Sequence, residues 1–253
     1  MRLRQHIPQA DTRDAIKQTA RRLFAERGID GVSVKEIVVA AGQRNGGSLH
    51  YHFRTKEALV RELVVDGAKI IDQRRNTQLN ALEQRDTSPT LREIIEILVL
   101  PSTDLASETG AENTYLRFIT ILQLSHRQLF LDALENQWNS GYLRCLTHIR
   151  NLLQSVPSGI LNQRLVFMGI YLPAVMAVRE GAIASSEGGH KFWSSPHLLE
   201  NFMDSMEALL RGAMSVQTQR QLAKGTPRAA AARRTEKPEQ PQKALRATAH
   251  RRA

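Results

Sequence analysis

The sequence predicts an all-α fold, and three observations carry that prediction. Apolar residues recur at three- and four-residue intervals through most of the chain, helix-starting and helix-stopping residues bracket those runs, and no alternating run of strand length stands out. At 253 residues and 42% hydrophobic content, there is material for one large or two modest domains with a real core. The net charge of +10 sits at the ends: residues 1–60 carry +5 and residues 224–253 carry +7, which leaves the middle at −2. A basic head, a nearly neutral body and a basic tail direct any polyanion to the ends.

Residues 1–10, with Arg2, Arg4 and Pro8 and no periodicity, read as a flexible basic arm, either a solvated terminus or a minor-groove contact. The first helix is expected from Thr12 to Arg27, capped by Asp11 or Thr12, with Ile16, Ala20, Leu23 and Phe24 as its stripe and Gly28 as its stop. Its Arg13, Lys17, Arg21 and Arg22 could reach phosphates or form a solvated face.

A second helix starts at Ser33, where Ser33 and Glu36 have the S-x-x-E form of a capping box. Val34, Ile37, Val38 and Ala41 follow at helical spacing, and Gly42 supplies the left-handed stop. After the polar connection of residues 43–47, a short segment puts Leu49 and Phe53 on one buried face while Ser48, His50, Tyr51 and His52 point elsewhere. Two short helices joined by a tight turn, the second with a polar outer face nearly free of acid, form the helix-turn-helix arrangement whose second helix lies in the major groove.

Thr55 caps the next helix, which runs to about Arg75 through Leu59, Leu63, Ala68, Ile70 and Ile71. Beyond Leu79 only helical signals follow: residues 89–100, a loop at 101–111, then 112–125, 128–155, 161–184 and 196–217, with a Gly- and Ser-rich break at 185–195. The apolar run Leu165 to Val178 is broken by Pro173 and is shorter than the roughly 20 residues a bilayer needs, so it reads as a buried helix and no membrane is expected. The last helix carries Leu198, Leu199, Phe202, Met203, Met206, Leu209, Leu210 and Met214, a stripe for its own core or for a partner. From Lys224 onward Lys, Arg, Ala, Pro and Gln dominate, and residues 224–253 read as a disordered basic tail, either idle or adding salt-sensitive affinity for DNA.

Ala41-Gly42, a short polar run, and then Leu49, Tyr51, His52, Phe53, Lys56, Glu57, Ala58 and Leu59 in the order L-x-Y-H-F-x-x-K-E-A-L resemble the N-terminal domain of the TetR family of transcriptional regulators. The resemblance extends back through Ala20 to Ile37 and covers residues 11–65. Two departures stand out: a connection after Gly42 one residue longer than the commonest pattern, and His50 where the family usually has Tyr.

The resemblance implies a helix-turn-helix DNA-binding domain at 11–56 and a helical effector-binding and dimerisation domain at 57–223, pairing through the last two helices. It also implies a sequence-specific regulator, expected to be a repressor, acting on double-stranded DNA with a near-palindromic operator and released by an unknown small-molecule effector. The DNA face comprises Arg44, Asn45, Gly46, Gly47, Ser48, His50, Tyr51, His52 and Lys56. Tyr51, His52 and Lys56 suit phosphates; Arg44, Asn45, Ser48 and His50 suit base edges; Gly46 and Gly47 give the backbone freedom. In the body, Tyr115, Phe118, Phe130, Trp138, Phe167 and Tyr171 either line an apolar pocket or are plain core.

A lone Cys145 cannot form an internal disulfide, and the N-terminus lacks a signal-type apolar core, so a cytoplasmic protein is expected. The histidines do not fall at metal-ligand spacing, Gly46-Gly47-Ser48 lacks the strand and lysine of a phosphate loop, and no catalytic or cofactor constellation is indicated. Two rival readings remain open: a sequence-indifferent nucleoid-type DNA binder using the basic ends, and a helical ligand carrier or enzyme with an incidental helix pair.

Overall fold

The computed structural model describes residues 9–43, 47–103, 105, 113–135, 137–185 and 190–225. Among them there is no strand, as the helical periodicity predicts. Eleven α-helices follow in order among the described residues: α1 (Gln9–Arg27), α2 (Val34–Ala40), α3 (Gly47–Phe53), α4 (Lys56–Glu83), α5 (Leu91–Val99), α6 (Tyr115–Ser125), α7 (Arg127–Leu134), α8 (Ser140–Leu152), α9 (Ser158–Ala184), α10 (Leu198–Arg211) and α11 (Val216–Gly225). The chain divides into two compact units, residues 1–212 and 213–253, and the second contains α11. Residues 1–8 of the predicted arm and residues 226–253 of the predicted tail lie outside the described residues, while Gln9 and Ala10 belong to α1 and Lys224 and Gly225 to α11.

Local chemistry explains the starts of α4 and α5. Thr55 accepts the N–H of Ala58 to open α4, and Thr90 with Glu93 forms a full capping box on α5. α5 then buries Leu91, Ile94, Ile95, Ile97, Leu98 and Val99 against α8 and α10.

Several boundaries differ from the sequence expectation. α1 begins at Gln9, ahead of the expected caps Asp11 and Thr12, and α4 continues to Glu83, because Leu79 and Leu82 extend its buried face. The helix expected over 128–155 is two, α7 and α8, divided at Glu135, whose φ is +46°. Asp72 on α4 makes the restart possible: its Oδ1 accepts the Gly141 N–H at 2.7 Å and its Oδ2 the Ser140 hydroxyl at 2.8 Å. A carboxylate from another helix thus satisfies the orphan donors at the start of α8. Gly141 has to be glycine, since a Cβ there would stand 2.7 Å from Cβ of Arg75. The last expected helix, 196–217, ends at Arg211, with Gly212 (φ −46°, ψ 138°) leaving helical geometry.

α6 lies at the middle of the first unit. It packs on α1, α7 and α9, and Phe118 stacks on Phe24 of α1 with ring centroids 6.1 Å apart and both rings fully buried. At its N-terminus, the Glu180 carboxylate of α9 accepts the N–H groups of Leu116 and Arg117, each at 3.1 Å, with Arg117 Nε 3.5 Å away. Burial pushes the Glu180 carboxyl above its ordinary range, while those two amides and the guanidinium pull it back.

The expectation of a buried helix at Leu165–Val178 is corrected. α9 buries Leu161, Leu165, Met168, Leu172 and Met176, but Val166, Phe167, Ile170 and Val178 are 60%, 55%, 55% and 57% exposed. α9 is long and apolar enough to cross a bilayer by composition, yet it packs on α6 and α10, and Arg164 donates to the carbonyls of Leu210 and Gly212. Conversely, the stripe on the last helix faces inward: Phe202, Met203, Met206 and Leu210 of α10 are core. Cys145 is core as well, and burial raises its thiol to about 11, far from a reactive thiolate.

Candidate nucleic-acid interface

α2 and α3 are set by short-range chemistry. Ser33 accepts the Glu36 N–H at 3.2 Å while Glu36 accepts the Ser33 N–H at 2.8 Å, completing the capping box. Arg27 at the end of α1 adds a 2.7 Å ion pair to Glu36 and a 2.8 Å bond to the Gly31 carbonyl, so the α1–α2 turn and the start of α2 form one bonded unit. α2 ends where Gly42 takes φ +72°, returning its N–H to Val39 and letting Gln43 reach Val38. Ile37, Val38, Leu49 and Phe53 are buried, which fixes α3 against α2 and α4.

The Ser33 N–H, Arg27 and the Ser33 hydroxyl, in that order, hold the Glu36 carboxyl down at about 2, against 4.5 for an ordinary glutamate. A depressed folded value gives support that is complete above pH 4.5 and lost as pH falls toward 2. Urea midpoints of wild type and Glu36→Gln should therefore differ at pH 6 or above and converge as the pH approaches about 2. A gap that persists unchanged in acid would mean that the carboxylate is not the stabilising group.

With one face of α3 buried, the opposite face is presented outward. His50 and Tyr51 are exposed, Tyr51 at 72%, while His52 is half-buried with its ring edge-on to Tyr51 at 5.0 Å. No acidic residue lies on α3. Arg54, which follows it, is exposed with φ +64°, a conformation a non-glycine residue rarely takes. The sequence did not point to this residue, because nothing in Phe53-Arg54-Thr55 announces a left-handed backbone.

Of the predicted DNA face, His50, Tyr51 and His52 come together on α3. Gly47 and Ser48 open that helix, and Arg44, Asn45 and Gly46, together with the lengthened connection, lie outside the described residues. Lys56 is folded back: its Nζ donates to the Ile29 carbonyl at 2.5 Å and lies 5.7 Å from the Phe24 ring centre. The ammonium has two further donors to give. The basic stripe of α1 is partly committed to scaffolding, since Nη2 of Arg13 donates to both carboxylate oxygens of Glu62 on α4 at 2.6 and 2.7 Å, Lys17 pairs with Asp66 at 2.6 Å, and Arg21 donates to Thr114 at 3.1 Å.

None of the six aromatic residues expected around a body pocket lines either of two cavities found among the described residues. Tyr115 and Phe118 are filled core, the Tyr115 hydroxyl donating to the Val64 carbonyl at 2.8 Å. Phe130 and Trp138 are half-buried, with Lys69 5.5 Å from the Trp138 ring centre. Tyr171 bonds Ser205 at 2.9 Å, and Phe167 faces outward from α9. A cavity of about 650 Å³ lies elsewhere, between the start of α4 (Thr55, Glu57, Ala58, Arg61) and the α6–α7 elbow (Ser125 to Leu129 and Asp132). His126 of that elbow reaches Asp30 of the α1–α2 turn at 3.1 Å. Among the described residues no group of three His, Cys, Asp or Glu gathers as a metal site would require.

The profile of the family described as bacterial regulatory proteins, tetR family, matches residues 16–63, which are α1 through the first turns of α4. The N-terminal domain belongs to the TetR family. A stretch of 57 residues is 40% identical to the HTH-type transcriptional repressor KstR2 of Mycolicibacterium smegmatis, an alignment covering 22% of this chain and 27% of that protein. The match thus spans about a quarter of the relative's length. Over the larger part of the chain the likeness is to solved structures at low identity. A TetR-family transcription regulator from Shewanella sp. PV-4 aligns at 16% identity and TM-score 0.49, over 79% of this chain and 95% of that one. The TetR-family regulator PfmR of Thermus thermophilus aligns at 18% identity and TM-score 0.42, over 79% and 99%.

Proposed function

We propose that the chain is a dimeric, sequence-specific DNA-binding transcriptional regulator that acts as a repressor and is released from its operator by a small molecule bound in the helical body. The observation that carries the reading is the outward face of α3, with His50 and Tyr51 exposed over a buried Leu49 and Phe53 in a TetR-type helix-turn-helix. A reading helix of seven residues spans few base pairs, so affinity and specificity call for two copies on half-sites one turn apart, roughly 34–36 Å. The exposed apolar face of α9 is the surface on which a second copy fits, with α10 beside it.

Each group in the reading segment has a role suited to its chemistry. Arg44, Asn45, Ser48 and His50 take base edges, while Tyr51, His52 and Lys56 take phosphates and set the height of α3 in the groove; Gly46 and Gly47 admit the backbone. In the body, Phe130 and Trp138 are the aromatic surface an effector could reach first, because Tyr115 and Phe118 would have to leave filled positions. An effector that favours a body conformation with the wrong spacing of the two reading helices lowers DNA affinity by its own preference for that conformation.

Footprinting at about physiological ionic strength on DNA flanking the gene, against random duplex, tests the proposal. Protection of a near-palindromic site at least about 1,000-fold more tightly than random DNA is the expected result. Tyr51→Ala should weaken that site and random DNA by a similar factor, about five- to tenfold, since a phosphate contact carries no sequence information. Equal affinity for all duplexes would favour the nucleoid-type reading, and no binding at moderate salt the ligand-carrier or enzyme reading.

A further inference from the structure

We propose that His50 reads an exocyclic amino group, adenine N6 or cytosine N4, through the lone pair on its Nε2. The proposal rests on the DNA-binding role given above and specifies what the reading helix requires at one position. His50 is exposed on α3, and its Nδ1 lies 2.8 Å from the carbonyl oxygen of Arg54 one turn later. A carbonyl oxygen only accepts, so Nδ1 must carry the hydrogen. The neutral ring has a single N–H, and Nε2 is therefore left as an acceptor. Among the described residues, Nε2 has no hydrogen-bond partner.

The backbone that closes α3 fixes this tautomer. Arg54 takes φ +64°, its own N–H returns to the His50 carbonyl at 3.0 Å, and the Thr55 N–H reaches the Phe53 carbonyl at 2.7 Å. The acceptor that orients the imidazole is thus a main-chain oxygen held by two neighbouring bonds, independent of the side chain at 54. Histidine free to choose its tautomer would pair with donors and acceptors alike; held as the Nδ1–H form, it discriminates. In the major groove adenine N6 and cytosine N4 donate, while guanine O6 and N7 and thymine O4 accept. An acceptor atom bonds the first pair and is repelled by the second. The other polar groups described on this face, the Tyr51 hydroxyl and the His52 ring, can adjust between donor and acceptor, so the fixed preference falls to His50.

Selection of duplexes from a random library by the full chain, repeated with three variants, tests this. Wild type should select adenine or cytosine on the contacted strand at one position of each half-site. His50→Phe, which keeps a planar ring and removes both nitrogens, should lose selection at that position alone, with roughly a tenfold loss of affinity for the wild-type site. His50→Arg, which offers only donors, should move the same position to guanine. Arg54→Gly keeps the carbonyl and suits the left-handed backbone, and should leave the base preference at that position as in wild type. His50 is exposed, and unchanged helical circular dichroism and melting would show that its variants fold. An unaltered consensus in His50→Phe, or a wild-type consensus with guanine or thymine at the position that His50→Phe releases, overturns the assignment while leaving the regulator reading in place. No consensus from the wild-type chain removes both.

Discussion

Ile170→Asp is expected to turn a dimer into a monomer and to lower affinity for the operator by at least about 100-fold, because one reading helix pair then has to hold the site alone. The reasoning begins with helical spacing. Val166, Ile170 and Val178 recur at multiples of four along α9 with Phe167 beside them, and each is more than half exposed although α9 packs tightly on its other side. Four large apolar side chains in one stripe form a patch of the kind that marks an interface. A carboxylate at its centre would be desolvated without a partner on pairing, which is costly in the dimer and nearly free in the monomer. Sedimentation velocity and operator titration of Ile170→Asp and Val166→Asp should agree. Leu124→Asp on α6, where the side chain is 73% exposed and off this stripe, should remain dimeric. Dimeric Ile170→Asp would place the pairing surface elsewhere.

Phe118→Ala should cost about 3–5 kcal/mol, a large share of the roughly 5–15 kcal/mol a domain of ordinary stability has. Phe118 is fully buried on α6 and stacks on Phe24 of α1, so the substitution opens a hole where the DNA-binding helices meet the body. The surroundings have little freedom to collapse into it, because α1 is also held to α4 by Arg13 and Glu62 and to the start of α6 by Arg21 and Thr114. Chemical unfolding should give that loss, and Phe24→Ala with Phe118→Ala together should cost clearly less than the sum of the two, as expected for residues sharing one contact. By contrast, Tyr115→Phe removes only the bond to the Val64 carbonyl and should cost about 1–2 kcal/mol. A loss under about 1 kcal/mol for Phe118→Ala would mean that the cavity is repacked or that the ring is not an anchor.

What was legible in the sequence was local. Ser33 with Glu36, and Thr55, announce helix starts and form the caps their positions suggest, while the capping box of Thr90 with Glu93 opens the helix expected over 89–100. The buried face of α3 follows from Leu49 and Phe53 one turn apart. What was not legible depends on distant partners. The restart of α8 at Ser140 depends on Asp72, 68 residues earlier, and nothing in the apolar run of α9 separates the exposed Val166, Phe167, Ile170 and Val178 from the buried Leu165, Met168 and Leu172. The bond that orients His50 depends on a backbone angle at Arg54 that arginine seldom adopts. Aromatic residues in the body looked alike for the same reason: periodicity says that a residue is apolar, and only packing says whether it fills space or borders it.

Glu180 gives α9 and α6 a common fate. Its two oxygens hold consecutive amides, Leu116 and Arg117, each at 3.1 Å. A slip of α9 by a single residue along its axis, about 1.5 Å, would stretch both bonds and leave a buried carboxylate with only the Arg117 guanidinium beside it. Thr120 adds a second tie, its hydroxyl donating to the Pro173 carbonyl at 3.1 Å, so neither a slide nor a tilt of α9 alone keeps every bond to α6 in reach. With two such ties α9 and α6 form one strut, and that strut meets α1 at Phe118 and Phe24.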